Sequence, residues 1–329
     1  MKNLHTSRLP LSPAYSLSSS SAVAPGRSWR AIRAQVLALS AAALFCGPAL
    51  AQSASASASQ DGVKVRDMSS VRNLVPAEQL ERQAAQQYMG LKQQANQQGA
   101  LVPLGDPQLQ RIQGIAKKLI PFALRWNPRA AQWKWEVVLL KSGQVNAFCM
   151  PGGKIAFYTG ILDKLKMTDD EIALVMGHEI AHALREHGRE RMAKSTMANV
   201  AGALAGAGMS KWLGVDPRIS NQVAGAGAKL AVLKFSREDE TEADVVGLDI
   251  AARAGFDPRA GVLLWQKMGL VNKGAPPQWL STHPAGDNRI QEIRKHLPEV
   301  MPLYASTRGV KVSALPPYQS NVKELGPVL

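Results

Sequence analysis

The chain has only two cysteines in 329 residues, Cys46 and Cys149. That excludes a disulfide scaffold and a cysteine-rich zinc module. Aromatic residues make up 5% of the chain, and no basic run is interleaved with them. A surface that stacks nucleic-acid bases is therefore not indicated. The 39 Lys and Arg against 25 Asp and Glu give a formal charge of +14, which reads as a basic solvated surface and implies no nucleic-acid partner. The excess is uneven. Residues 1–51 hold five basic residues and no acid, leaving 34 basic against 25 acidic residues beyond them. No Gly-x-Ser-x-Gly elbow and no Walker-type glycine loop occurs, and Gly225-Ala226-Gly227 lacks the third glycine of a dinucleotide fingerprint.

The N-terminus reads as an export signal. Residues 1–30 are rich in Ser and Pro. Arg27, Arg30 and Arg33 precede an apolar run from Ala34 to Phe45, and Ala49-Leu50-Ala51 supplies small residues for cleavage. The run is about a dozen residues, too short to span roughly 30 Å of hydrocarbon. Cleavage is expected after Ala51, giving a periplasmic protein that begins at Gln52. Cys46 raises the alternative of a lipidated N-terminus, but the bulky Phe45 before it argues against that. With Cys46 removed, Cys149 is expected to be a small buried apolar residue.

Residues 52–75 open with a Ser/Ala alternation and read as a flexible linker. Residues 76–300 form the expected folded domain, and 301–329 an extended tail containing prolines. Pro76 to Gln98 suits a helix. Asp106-Pro107 is a capped helix start, followed by Leu109, Ile112, Ile115, Leu119 and Ile120 at helical spacing. Trp133–Leu140, Val145–Met150 and Lys154–Tyr158 read as strands, the last two joined in a hairpin by Pro151-Gly152-Gly153. Thr168 should cap a long helix running to Gly188, with Asp169, Asp170 and Glu171 favoured in its first turn by the helix dipole. The Ala/Gly-rich stretch 193–233 suggests a tight helical hairpin, with Gly202 and Gly206 four apart, and is the candidate for peripheral contact with a membrane surface. Arg237 to Ala254 forms another helix, and two short ones follow. The expected fold is α+β, mainly helical with a short sheet beside a central helix.

That central helix carries His178-Glu179-Ile180-Ala181-His182. Histidines four apart share one helix face, so both imidazoles can reach one Zn²⁺ per chain. Glu179 lies about 100° further round, placed to act as a general base towards a water on the metal. With 6 His and 13 Glu in the chain, composition alone predicts about 0.004 such patterns, so chance is a poor explanation. A third ligand must come from elsewhere, because Arg185 and Gly188 stand where the metzincin pattern has glycine and histidine. His187 is nine residues from His178 and is expected on the opposite face, as a surface histidine at the helix end. The acid-rich stretch Ser236 to Asp244 is the candidate source. Spacing does not choose among its acids, although Glu240 and Asp244 share a face, so that one could ligate and the other orient a histidine.

HExxH followed about 60 residues later by Glu240-Thr241-Glu242-Ala243-Asp244 resembles the HtpX/BepA-type zinc metallopeptidases, relatives of the CAAX prenyl proteases. The resemblance covers about residues 75–300. It implies a zincin-like domain in which Glu240 is the third zinc ligand and Asp244 orients a ligand histidine. Asn146-Ala147-Phe148, Pro151-Gly152-Gly153 and Thr159-Gly160 resemble the family's strand region. Ser281-Thr282-His283-Pro284 with Arg289-Ile290 resembles its later His-Pro…Arg-Ile element. The long spanning helices of some members and the C-terminal repeats of others are not matched, which suggests a minimal exported catalytic domain. The expected function is zinc-dependent hydrolysis of peptide bonds in unfolded or misassembled envelope proteins. The alternative is a zinc-bearing chaperone with little proteolysis, against which the intact Glu179 counts. The edge for an extended peptide substrate would come from the strand beginning Asn146-Ala147-Phe148 or from the Lys154 strand. His283 is expected to face the zinc cleft, either as an oxyanion donor or as a cap on the open zinc position.

Overall fold

The computed structural model describes residues 62–206, 235–271, 278–283 and 288–329. The signal sequence, the linker's Ser/Ala stretch, Pro284 and the part of the Ala/Gly-rich segment from 207 to 233 lie outside the described residues.

Helix α1 (Ala77–Gln97) and helix α2 (Pro107–Ala123) precede the sheet. The Asp106 side chain caps α2, accepting from the backbone N–H groups of Gln108 at 2.8 Å and Leu109 at 3.1 Å. Leu109, Ile112, Ile115 and Leu119 then point into the core, while Ile120 stays partly exposed. Three strands follow: β1 (Glu136–Leu140), β2 (Ala147–Met150) and β3 (Lys154–Tyr158). Gly152 and Gly153, at φ +82° and +75°, make the turn between β2 and β3 that an L side chain would strain. The sheet order is β1-β3-β2, with β1 parallel and β2 antiparallel to β3. β3 is therefore central and offers no edge, whereas β2 is an edge strand. Of the two strands considered as a peptide edge, the Lys154 strand is excluded by this order. Tyr88 of α1 covers the sheet and donates its hydroxyl to the Ile155 carbonyl at 2.6 Å.

Helix α3 (Thr159–Lys164) leads into α4 (Asp169–Leu184), the helix with the two histidines. A capping box starts α4: the Thr168 hydroxyl accepts from the Glu171 N–H, and the Glu171 carboxylate accepts from the Thr168 N–H. Every residue from Glu171 to Leu184 is buried, so α4 is the central element of the core. It ends four residues earlier than its sequence suggested. Glu186 adopts a left-handed φ of 56°, and a new helix, α5 (His187–Gly206), begins after it. Helix α6 (Arg237–Arg253) starts with a second capping box, between Ser236 and Asp239. Helices α7 (Ala260–Val271), α8 (Gln278–Thr282) and α9 (Arg289–Thr307) complete the body. α9 continues through Pro298 and Pro302, where the prolines had suggested an extended chain. Its buried Leu297, Val300, Met301 and Leu303 pack against α6 and α7 and offset the lost backbone bonds. No helix among the described residues is long and apolar enough to cross a membrane.

α4 packs along α6, and their closest approach is at two glycines. A Cβ on Gly247 would lie 2.8 Å from the His178 nitrogen and 3.0 Å from the Gly177 carbonyl carbon. A Cβ on Gly177 would lie 3.0 Å from the Gly247 oxygen. The obstacles are backbone, which cannot swing aside. Glycine in a helix interior normally costs about 0.5–1 kcal/mol relative to alanine. Gly247→Ala is expected to invert that preference, because overpacking against backbone costs about 1–3 kcal/mol. Thermal melting should show a lower Tm. A Tm at or above that of the parent protein would contradict the close-packing argument.

Candidate metal centre

His178 and His182 project from one face of α4, Glu240 from the first turn of α6, and His283 from the end of α8. One donor atom from each lies within 4.8 Å of the others, and all four residues are buried. His178 Nε2 is 3.1 Å from His182 Nε2 and 3.2 Å from His283 Nδ1. The Glu240 carboxylate is 3.5 Å from both His178 Nε2 and His182 Nε2, and 3.0 Å from His283 Nδ1. Nitrogen and oxygen ligands about 2.0–2.1 Å from a shared tetrahedral centre lie roughly 3.3–3.4 Å apart. The donor set and its spacing therefore fit a Zn²⁺ site.

The surrounding charges prepare these groups. His178 Nδ1 is 2.9 Å from the Asp244 carboxylate, which fixes the ring and leaves Nε2 free. Arg289 donates to Glu240 Oε2 and to Asp244 Oδ1, both at 2.6 Å, and lies over the Trp265 ring. Burial pushes the Asp244 carboxyl up, but Arg289 and His178 outweigh it and hold the group below its ordinary value. Glu240 is likewise held low against burial, chiefly by His283 and His178, with Arg289 adding to them. Burial and the neighbouring His178, His187 and His283 drive His182 well below the ordinary imidazole range, so it stays neutral with a lone pair available. Burial lowers His283, but Glu179 and Glu240 reverse the sign and raise it.

Glu179 lies beside this cluster, in a cleft also lined by Asn146, Ala147, Phe148, Cys149, His182 and His283. Its Oε1 accepts from the Trp279 indole N–H at 2.6 Å and lies 3.5 Å from His283 Nε2. The Trp279 backbone N–H donates to the Val145 carbonyl at 3.0 Å, just before the edge strand. The indole also stacks on His283 with centroids 5.0 Å apart. Trp279 escaped the sequence reading, although it lies one helical turn before His283 and so shares its face. Cys149 is only half-buried and lines the cleft, rather than filling the core as expected. Burial pushes its thiol up, with Glu179 adding to the shift.

Of the acids in the 236–244 stretch, Glu238 faces solvent, and Glu242 pairs with Arg185 and Arg66. Glu240 and Asp244 are the two that reach His178 and His182. His187 departs furthest from expectation. It is 2% exposed, and its Nδ1 is 2.9 Å from His182 Nδ1. The nine-residue spacing that placed it on the opposite face assumed one continuous helix, and the left-handed turn at Glu186 breaks that helix.

Residues 107–297, more than half of the chain, match the family described as Peptidase family M48. Over 155 residues the chain is 39% identical to the mitochondrial metalloendopeptidase OMA1 of Arabidopsis thaliana, an alignment covering 47% of this chain and 30% of that one. It is 29% identical over 209 residues to the metalloprotease LoiP of Escherichia coli, covering 62% and 77%. It is 28% identical over 206 residues to the beta-barrel assembly-enhancing protease of Yersinia pestis, covering 60% and 40%. The chain spans 30% of the Arabidopsis relative and 48% of the OMA1 protein of Schizosaccharomyces pombe. With two histidines of an HExxH helix, the glutamate of a second buried helix and a family match across both, the chain belongs to peptidase family M48 and carries its metallopeptidase domain.

Proposed function

We propose that the protein is a zinc-dependent endopeptidase that is exported and acts on unfolded or misassembled proteins of the cell envelope. The observation that carries the reading is the convergence of His178, His182 and Glu240 on one point, with Glu179 and His182 lining the adjoining cleft. His178, His182 and Glu240 hold the metal. Bound zinc polarises the scissile carbonyl and makes a water acidic enough to attack near neutral pH. Glu179 takes the proton of the attacking water and delivers it to the departing amine nitrogen. Asp244 keeps the His178 ring oriented, and Arg289 holds both carboxylates ionised. The peptide adds to the edge strand at Asn146, Ala147 and Phe148, so only chain that can become extended enters. That selects unfolded polypeptide over folded domains. The N-terminal signal supports export, and the similarity to the beta-barrel assembly-enhancing protease and LoiP supports an envelope setting. The Ala/Gly-rich 193–233 segment supplies peripheral membrane contact in this reading.

His283 acts as a fourth donor that caps the metal, one of its two expected roles. Its Nδ1 lies among the ligand atoms, and Trp279 from the same short helix occupies the Glu179 carboxylate. In this arrangement both the metal position and the base are engaged by the protein itself.

Purified protein is expected to contain about one zinc per chain. His178→Ala, His182→Ala and Glu240→Ala should each lose it, while Glu238→Ala retains it, by elemental analysis after dialysis. Full zinc in Glu240→Ala would remove Glu240 from the ligand set.

Glu179→Gln should keep both fold and zinc yet cleave casein at least about 100-fold more slowly, the scale of a general base. Undiminished cleavage would place the activity elsewhere.

His283→Ala should retain zinc and show faster casein turnover with more self-cleavage. A fall in turnover of roughly 10²–10³ would instead identify His283 as an oxyanion donor.

A further inference from the structure

His187 is buried at the centre of the fold, yet hydrolysis as proposed gives it no part. Its position follows from the backbone. The left-handed Glu186 breaks the helix between α4 and α5, and the His187 ring meets the His182 ring edge-on with centroids 5.0 Å apart. The two Nδ1 atoms face one another at 2.9 Å. Two imidazole nitrogens at that distance need one proton between them: one ring donates and the other accepts.

The metal decides which. A neutral His182 that offers its Nε2 lone pair to zinc carries its only ring proton on Nδ1. It must therefore donate, and His187 must accept. His187 then carries its own proton on Nε2. That nitrogen is buried, with no hydrogen-bond partner among the described residues. The nearest acidic oxygens are those of Glu242 at 3.7 Å and Asp239 at 3.9 Å. Both are acceptor oxygens, which favour a proton on the side facing them. They are fixed in turn. Arg66 donates to Glu242 at 2.6 Å and to Asp239 at 2.8 Å, and Arg185 pairs with Glu242 as well. Asp239 is also the acid of the α6 capping box. His178 has a carboxylate directly on its Nδ1, whereas the corresponding atom of His182 meets a second imidazole backed by two carboxylates.

We infer that His187 is a positioning residue for the metal centre: it accepts the Nδ1 proton of His182 and so holds the tautomer that leaves His182 Nε2 free for zinc. The inference rests on the reading of His182 as a ligand. A merely structural His187 would fill space, and any ring of similar size would serve. His187→Phe keeps the ring and removes the acceptor. His187→Asn gives up ring volume but returns an oxygen near the position of Nδ1.

The test is zinc affinity of the full-length chain, measured by competition with a chromophoric chelator. His187→Phe should bind zinc roughly 10–100-fold more weakly, the usual effect of removing a ligand's supporting partner. His187→Asn should recover most of that loss. A space-filling role predicts the reverse order. Should either variant fail to fold, ¹⁵N NMR of the zinc-loaded parent protein decides the matter: the expected protons are on His182 Nδ1 and His187 Nε2. Unchanged zinc affinity in His187→Phe, or a His187 proton on Nδ1, overturns the role. His182→Ala separates the two levels. If it loses zinc while His187→Phe does not, only the positioning role fails. If His182→Ala leaves zinc affinity unchanged, the metal-site reading fails and this inference with it.

Discussion

Gly177 and Gly247 meet backbone to backbone where α4 crosses α6, and the geometry of the metal centre hangs on that contact. Gly177 immediately precedes His178, and Gly247 lies three residues after Asp244. Because neither position carries a Cβ, the two helices approach closely enough for Asp244 to reach His178 Nδ1 at 2.9 Å. Glu240, one turn earlier on α6, then falls beside both histidines. A separation larger by the width of a methyl group would leave the carboxylates short of the imidazoles. The capping boxes at Thr168 and Ser236 define where each helix begins, and so which residues present this face.

The same close packing forces charge out of water, which would destabilise the fold if the charges were unpaired. The buried side of α6 carries Asp239, Glu240, Glu242 and Asp244. Arg289 answers Glu240 and Asp244, while Arg185 and Arg66 answer Glu242 and, in the case of Arg66, Asp239. These arginines come from α9, the end of α4 and the segment before α1. Four carboxylates on one helix thus tie together elements distant in sequence. The arrangement also divides labour. Arg289 serves the carboxylates that touch the histidines directly, and the Arg185–Arg66 pair serves those behind His187.

Much of the site could be read from spacing. The i, i+4 relation of His178 and His182 and that of Glu240 and Asp244 each define a helix face regardless of what the helix packs against. Capping residues marked the starts of α2 and α4 because those bonds are local. Strand pairing was less legible. Apolar runs indicated three strands, but the placement of β3 between β1 and β2 comes from a crossover that no local signal encodes. The end of α4 was misplaced for a related reason. Glu186 has no residue-type bias towards a left-handed conformation, so the break there reflects tertiary packing rather than propensity.

The sequence by itself determined the helix faces, their caps and the chemistry of the residues on them, since these depend on contacts within a few residues. Its motif spacing also carried the family resemblance. Only the tertiary structure decided what those faces meet. It brought Trp279 onto Glu179, set His283 among the donors and turned His187 inward against His182. Each of these depends on distances between segments far apart in the chain. Such distances are set by backbone approach, as at the Gly177–Gly247 crossing, and by one left-handed residue that breaks a helix.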